Sequence, residues 1–221
     1  IEELKKIPNL TIKNRTSVAA FHGYNYLLAR ENLTDHLSAH ERKEKIRQRL
    51  LKIRAKKVVI ATGAIERPLI FSNNDRPGII LSSSIKKYID YYGVKTGENI
   101  SLFTNNDSAY ETAISLNKSG IKVKVIIDIR ENPSSKLSEK IEKAGIKILR
   151  GYTITDTDGY KRIKSIYVMK LSKDGGSVVG NKVTYKCDCL GISGGWTPMV
   201  HLFTQSGGKL KFRNNDNVFI P

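Results

Sequence analysis

Two stretches of this 221-residue sequence combine residue types that can handle a nucleotide. The first is Lys56 to Pro68, where an apolar run, Val58 to Ala61, stops at Thr62-Gly63 and passes into Ala64-Ile65-Glu66-Arg67. A glycine at that point can take positive φ and lets a backbone approach a ligand, so the carboxyl end of such a strand is a place for a cofactor. An ordinary turn after a buried strand is the alternative. Arg67 could face a phosphate or carboxylate, or pair on the surface with Glu66 or Asp75. The second stretch is Thr104 to Asp107, which lies where a dinucleotide fold carries G-x-G-x-x-G, with Thr104, Asn106 and Ala109 at the three positions. Asn106 puts a side chain where a glycine would let the backbone reach a pyrophosphate, and Asp107 adds negative charge. The turn therefore reads as a dinucleotide architecture whose own phosphate site is blocked. Asp128, about twenty residues on, falls at the ribose-binding place and, with the turn closed, reads as a structural or solvated acid.

Other candidates are weaker. Gly194-Gly195-Trp196 ends a strand on two glycines, a place for close backbone contact or for a tryptophan packed over a glycine turn. His201 follows on what reads as a short helix, as a packed or capping residue. Cys187-x-Cys189 has no partners at ligand spacing and the four histidines are dispersed, so no metal site is expected. There is no nucleophile elbow and no intact phosphate loop, and no catalytic residue can be named.

The elements that position these residues are legible. Val58 to Ala61 reads as a strand covered on both faces, as in a parallel sheet. Before it, Leu10 to Asn14, Ser17 to Phe21, Tyr24 to Glu31 and Gln48 to Arg54 read as strands of a meander, with a polar connection over Asn32 to Glu44. Asn73 to Gly78 is turn chemistry. Ile85, Tyr88, Ile89 and Tyr92 repeat at helical spacing over Ser82 to Tyr92, ended by Gly93. Ile100 to Phe103, Ser108 to Ser119 and Val123 to Ile127 form a βαβ unit, with Ser108 and Glu111 spaced as a capping box. Ser135 to Ala144 predicts a helix, Lys147 to Leu149 and Gly151 to Thr155 strands, and Lys161 to Leu171 with Ser177 to Lys186 a hairpin turning at Asp174-Gly175. Tyr185 to Ser193 predicts the strand that leads to the two glycines.

Composition bounds the function. The net charge of +17 is spread through every segment, which fits a general compositional bias better than a nucleic-acid surface. Only Arg42 to Lys57 concentrates base, and it lacks interleaved aromatics. Neither a membrane span nor a signal peptide is visible. Two cysteines spaced as one face of a strand rather than as a disulfide point to a reducing compartment, and a cytoplasmic protein is expected. The chain starts at Ile1, inside what reads as the end of a helix or loop over residues 1–7, and closes on the apolar Val218-Phe219-Ile220. The expectation is a piece of a longer polypeptide.

Four motifs in order, Ala61-Thr62-Gly63-Ala64-Ile65-Glu66-Arg67-Pro68, Asn73-Asn74-Asp75-Arg76-Pro77-Gly78, Thr104-Asn105-Asn106-Asp107-Ser108-Ala109-Tyr110 and Gly194-Gly195-Trp196-Thr197-Pro198-Met199-Val200-His201-Leu202, resemble the α subunit of heterotetrameric sarcosine oxidases. The likeness runs from about Ile7 to the end. It implies an α/β fold of two nested dinucleotide-binding, Rossmann-like, FAD/NAD(P)-binding domains with a β-meander and hairpin, the first domain incomplete. On that pattern residues 1–95 belong to the first domain with the meander, 96–175 to an inserted second, and 176–221 return to the first. The resemblance further implies NAD held in the first domain by Thr62, Gly63 and Ala64, with Arg67 a weaker candidate. Thr16 to Val18 lie where an adenine meets backbone groups. Catalysis in such enzymes occurs at a flavin in the β subunit, with FMN held between α and β, while a carboxy-terminal folate domain of α collects the one-carbon unit. The implied partners are the β, γ and δ subunits. The glycine-rich amino-terminal loop and the folate domain of the family are absent from this sequence. A related amine or opine oxidoreductase subunit, or a non-catalytic assembly scaffold, are the alternatives.

Overall fold

The computed structural model describes residues 2–133 and 135–221, so Ile1, at the head of the expected helix or loop, lies outside the described residues. The chain forms two compact units: one is discontinuous, Ile1–Gly63 with Pro198–Pro221, and the other is Ala64–Thr197.

The discontinuous unit starts with a short helix, α1 (Glu2–Lys5), and an antiparallel meander of β1 (Thr16–His22), β2 (Tyr26–Asn32) and β3 (Gln48–Arg54), with β2 central. Leu27, Ala29 and Glu31 alternate to the covered side of β2, the period of two that a half-buried strand requires. Glu31 is tolerated there because Arg49 Nη2 and Lys13 Nζ reach its two oxygens at 2.7 and 3.3 Å. The Arg49 hydrogen bonds outweigh burial and hold its carboxyl below the usual range.

Two expected strands are absent. Leu10 to Asn14 is irregular and exposed, and Val58 to Ala61 is irregular too, with Val58 and Ile60 half-buried and Val59 91% exposed. An apolar run becomes a strand only where neighbours offer backbone hydrogen bonds, and among the described residues β1 to β3 pair with one another and leave 58–61 without a ladder.

The continuous unit enters through β4 (Ala64–Glu66), β5 (Ile79–Leu81) and α2 (Ser82–Asp90). The βαβ unit follows as β6 (Ile100–Thr104), α3 (Ser108–Lys118) and β7 (Val123–Asp128), then α4 (Lys136–Lys143), β8 (Ile148–Arg150), β9 (Tyr152–Asp158), β10 (Ser165–Leu171), β11 (Val178–Lys186), β12 (Cys189–Ser193) and β13 (Trp196–Pro198). Strands β5, β12, β6, β7 and β8 make a parallel sheet in that order. On one face Ile100, Leu102 and Ile126 pack against Ile85, Tyr110, Leu116 and Ile141 of the three helices. On the other, Phe103, Val125, Ile127 and Leu190 pack against Ile154, Ile166 and Val168 of the antiparallel sheet β11-β10-β9. The unit is thus helix, parallel sheet and antiparallel sheet in three layers, a Rossmann-like arrangement. It is wider than the 96–175 segment expected for an inserted domain, because β5, α2 and β12 on either side of that segment complete the same sheet and its helical layer.

The chain returns to the first unit with α5 (His201–Gln205) and a small hairpin of β14 (Lys211–Arg213) and β15 (Val218–Ile220). Gln205 Oε1 accepts the Phe21 N–H at 2.8 Å and ties α5 to β1. Among the described residues no helix is long and apolar enough to cross a membrane.

Candidate functional site

In the discontinuous unit, Thr62 and Gly63 share the walls of a cavity of about 650 Å³ with the β1–β2 turn, Met199, Val200 and Phe203. The Thr62 hydroxyl donates to Met199 O at 2.7 Å, and Met199 N–H donates to Gly63 O at 2.9 Å. These two bonds hold an otherwise irregular segment in place. Gly63 has φ +70°, and a Cβ built on it meets nothing within 4 Å, so glycine is needed there for its backbone conformation and the space beside it is open.

The other expected site residues lie elsewhere. Val18, on β1, is 41% exposed and is not among the cavity's walls. Ala64 begins β4, and Arg67 lies in the continuous unit, its N–H donating to Gly195 O at 2.8 Å and its carbonyl accepting from Gly194 N–H at 2.7 Å. The walls that sequence reasoning missed are the turn Gly23-Tyr24-Asn25, Met199 and Phe203. Tyr24 and Asn25 have φ +59° and +53°, a conformation that no sequence pattern announces for a tyrosine.

The cavity's size is that of a ligand pocket. Its walls are backbone, apolar side chains, His22, Tyr24, Asn25, Thr62 and Ser206, with no lysine or arginine among the described residues. They fit the base and ribose end of a dinucleotide and supply no cationic side chain for its pyrophosphate.

The second turn is filled by its own side chains. Asn106 Oδ1 accepts the Ser108 N–H at 2.9 Å, and its Nδ2 donates to Ser193 O at 3.1 Å and Ser193 Oγ at 3.0 Å. Thr104 Oγ1 accepts the Asn106 N–H at 3.0 Å and donates to Asn106 O at 2.7 Å. The expected capping box does not form: Asp107 holds the cap position of α3 without a side-chain bond to the helix, Asn106 satisfies the first helical N–H, and the Ser108 hydroxyl accepts from Trp196 Nε1 at 2.6 Å. Trp196 is 39% exposed rather than packed over the glycines.

Asp128 is fully buried. Its Oδ2 accepts from Tyr110 Oη at 2.6 Å and from Arg130 Nη2 at 2.8 Å, and its Oδ1 from the Arg130 N–H at 2.8 Å and Nε at 3.1 Å. Burial, reinforced by the bond to Asp128, pushes the Tyr110 phenol well above its ordinary value. Burial works against the Arg130 charge, but the bonds to Asp128 and Asp107 outweigh it and raise its pKa. The side chains of Thr104, Asn106, Asp107 and Asp128, at the places where an open turn would receive phosphate and ribose, are thus engaged internally. Both cysteines are free and buried, and burial above all pushes the Cys187 thiol up to about 12. Among the described residues no group of three or more His, Cys, Asp or Glu could hold a metal ion.

The layers and parallel sheet define the class: a Rossmann-like α/β fold. Solved structures share it, among them the T. acidophilum thioredoxin reductase, with a TM-score of 0.57, 20% identity, and coverage of 75% of this chain and 53% of that one. The NAD-dependent persulfide reductase from A. fulgidus has a TM-score of 0.61 at 13% identity, covering 96% of this chain and 36% of that one. No family model matches.

Among curated proteins the relatives are more particular. The chain is 36% identical over 220 residues to sarcosine oxidase subunit alpha of Corynebacterium sp. (strain U-96), covering 100% of this chain and 23% of that one. It is 32% identical over 208 residues to that of Rhizobium meliloti (strain 1021), covering 94% and 20%. The likeness to sarcosine oxidase α subunits carried by the four motifs is therefore borne out along the chain, which spans 23% of the length of the Corynebacterium relative.

Proposed function

We propose that this chain is a segment of the α subunit of a sarcosine oxidase and that Thr62 and Gly63 contribute to an NAD site in its discontinuous unit. The observation that carries the reading is the similarity over the whole chain to curated sarcosine oxidase α subunits. The open cavity beside Gly63 supports the placement of NAD. When bound, NAD supplies a nicotinamide ring able to take or give hydride. The chain's own part is to seat it: Met199 fixes the Thr62-Gly63 backbone, and Gly63, which has no side chain, leaves the space open.

The complete enzyme, on this reading, demethylates sarcosine oxidatively to glycine with formation of hydrogen peroxide and transfer of the one-carbon unit to tetrahydrofolate. The flavin chemistry belongs to the β subunit, FMN lies where α meets β, and γ and δ complete the assembly. The continuous unit is a dinucleotide-type domain whose phosphate turn is closed by Thr104, Asn106 and the Asp107–Arg130 pair. An enzyme that passes electrons to oxygen has no need of a second nicotinamide to exchange hydride with its flavin.

The test is co-expression of the full-length α subunit with its partners, followed by NAD determination in the released cofactor and assay of sarcosine-dependent peroxide. Gly63→Val is expected to lose NAD. Undiminished NAD in that variant removes the site assignment, and an absence of sarcosine-dependent peroxide removes the reaction.

A further inference from the structure

The cavity beside Gly63 is walled by stretches far apart along the chain: the β1–β2 turn from Phe21 to Asn25, residues within 58–63 and 198–206, and Pro221. All of them belong to the discontinuous unit. The first three are fastened to one another in a closed circuit. Asn25 Nδ2 donates to Lys56 O at 3.1 Å, and Asn25 O accepts the Ala55 N–H at 3.2 Å, so the turn is tied to the backbone that runs into Val58. Thr62 and Gly63 are tied in turn to Met199 by two bonds. Gln205, at the end of α5, closes the circuit on the Phe21 N–H.

The side chains in this circuit supply bonds that the fold's own ladders do not. β1 is an edge strand of the meander, and Gln205 Oε1 stands in for the carbonyl that an outer neighbour would offer. Residues 58–61 have no ladder, so the bonds at Asn25 and Thr62 hold that segment at its two ends. Asn25 is suited to its place twice over: asparagine accepts the left-handed φ of +53° better than most residues, and its amide is the donor. The partners fix the orientation of both amides, since a carbonyl requires the nitrogen and an N–H the oxygen.

We propose that Asn25 and Gln205 are positioning residues of this cavity: through the circuit they hold the three stretches as one cooperative unit and keep the space between them open to a ligand. Gln205 acts from outside the walls. What concerns NAD here rests on the site proposed above; the circuit itself does not. Among the described residues the tie at Gln205 is a single bond and the other two are double, so the circuit is weakest there.

The test is amide hydrogen exchange, read by mass spectrometry on the NAD-free full-length α subunit within its complex, with NAD affinity measured by titration of the same preparations. Gln205→Met removes the acceptor. It should speed exchange by about fivefold or more in residues 21–25 and 199–206, and also in 55–63, which the broken bond does not touch. NAD affinity should fall by a similar factor. Gln205→Glu and Asn25→Asp add the same negative charge and separate its effect from that of the bonds. The first keeps an oxygen for the Phe21 N–H and should match the parent in both measurements. The second sets an oxygen against Lys56 O, and should speed exchange in all three stretches and weaken NAD binding by about threefold. Exchange that rises only in the two stretches joined by the broken bond, Gln205→Glu behaving as Gln205→Met, or Asn25→Asp behaving as the parent overturns the proposal. A parent that binds no NAD removes the cofactor assignment and leaves the exchange rates to decide the circuit.

Discussion

Arg130 reaches back to Asp107, its Nη2 lying 2.8 Å from Asp107 Oδ1 while the same nitrogen lies 2.8 Å from Asp128 Oδ2. One guanidinium thus joins the turn after β6 to the end of β7, the two places where a dinucleotide fold would receive phosphate and ribose. Arg130→Met is expected to leave Asp128 buried with a charge only Tyr110 and a backbone N–H can answer. The loss of stability should be about 3 kcal/mol, measured by urea denaturation. A loss below about 1 kcal/mol would mean that the pair behaves as an ordinary surface bridge.

Tyr110 gives the protein an alkaline limit. Its folded-state pKa is raised, by burial first and then by Asp128, above the unfolded phenol value of about 10. The neutral phenol is the form the fold accommodates, so its contribution is complete below that unfolded value and is lost as pH rises from there toward the folded one. Tyr110→Phe should cost about 1–2 kcal/mol at neutral pH through the lost bond to Asp128. It should also flatten the fall in stability as pH rises above about 10. Parallel curves for the two proteins would refute the assignment.

Gly194 is required by space. A Cβ there would sit 2.5 Å from Pro68 O and 3.1 Å from Arg67 O, both backbone atoms that cannot turn aside. Gly194→Ala should therefore cost about 3 kcal/mol. At Gly63, where the Cβ meets nothing, alanine should cost only the backbone penalty of about 1 kcal/mol. Thermal unfolding of the pair separates the two causes, and equal losses would contradict both readings.

Tyr24 holds φ +59° at the tip of the β1–β2 turn with 91% of its surface exposed. Its side chain buries almost nothing to offset that conformation. Tyr24→Gly is expected to stabilise the unit by about 0.5–1 kcal/mol, read from the denaturation midpoint. A destabilised variant would refute the reading that the Tyr24 conformation is strained.

What the sequence conveyed depended on how local the determinants were. Strand β3 matched its expected bounds, Gln48 to Arg54, because its composition and its antiparallel neighbour are close along the chain. The βαβ unit at Ile100 to Asp128 and the helix expected over Ser135 to Ala144 were also legible, since apolar runs, turns and a helical period follow one another there. Val58 to Ala61 misled because an apolar run says nothing of whether partner strands are at hand. Ser108 and Glu111 had the spacing of a capping box, but Trp196, distant in sequence, claims the serine hydroxyl. The blockage of the turn was visible at Asn106. Its closure by Arg130 was not, because no local pattern ties that arginine to Asp107. The cavity beside Gly63 needed Met199 and Phe203, brought from the far end of the chain.

The continuous unit is entered at Ala64 and left at Thr197, and β4 and β13 at those two ends are hydrogen-bonded neighbours. A module whose entrance and exit adjoin can be gained or lost by its host in a single genetic event without pulling the host's own strands apart. Residues 64–197 are thus a cassette: joining Gly63 to Pro198 through a few glycines would rebuild the host's chain, and the same junction would make the excised module ready for cyclisation or for new termini elsewhere.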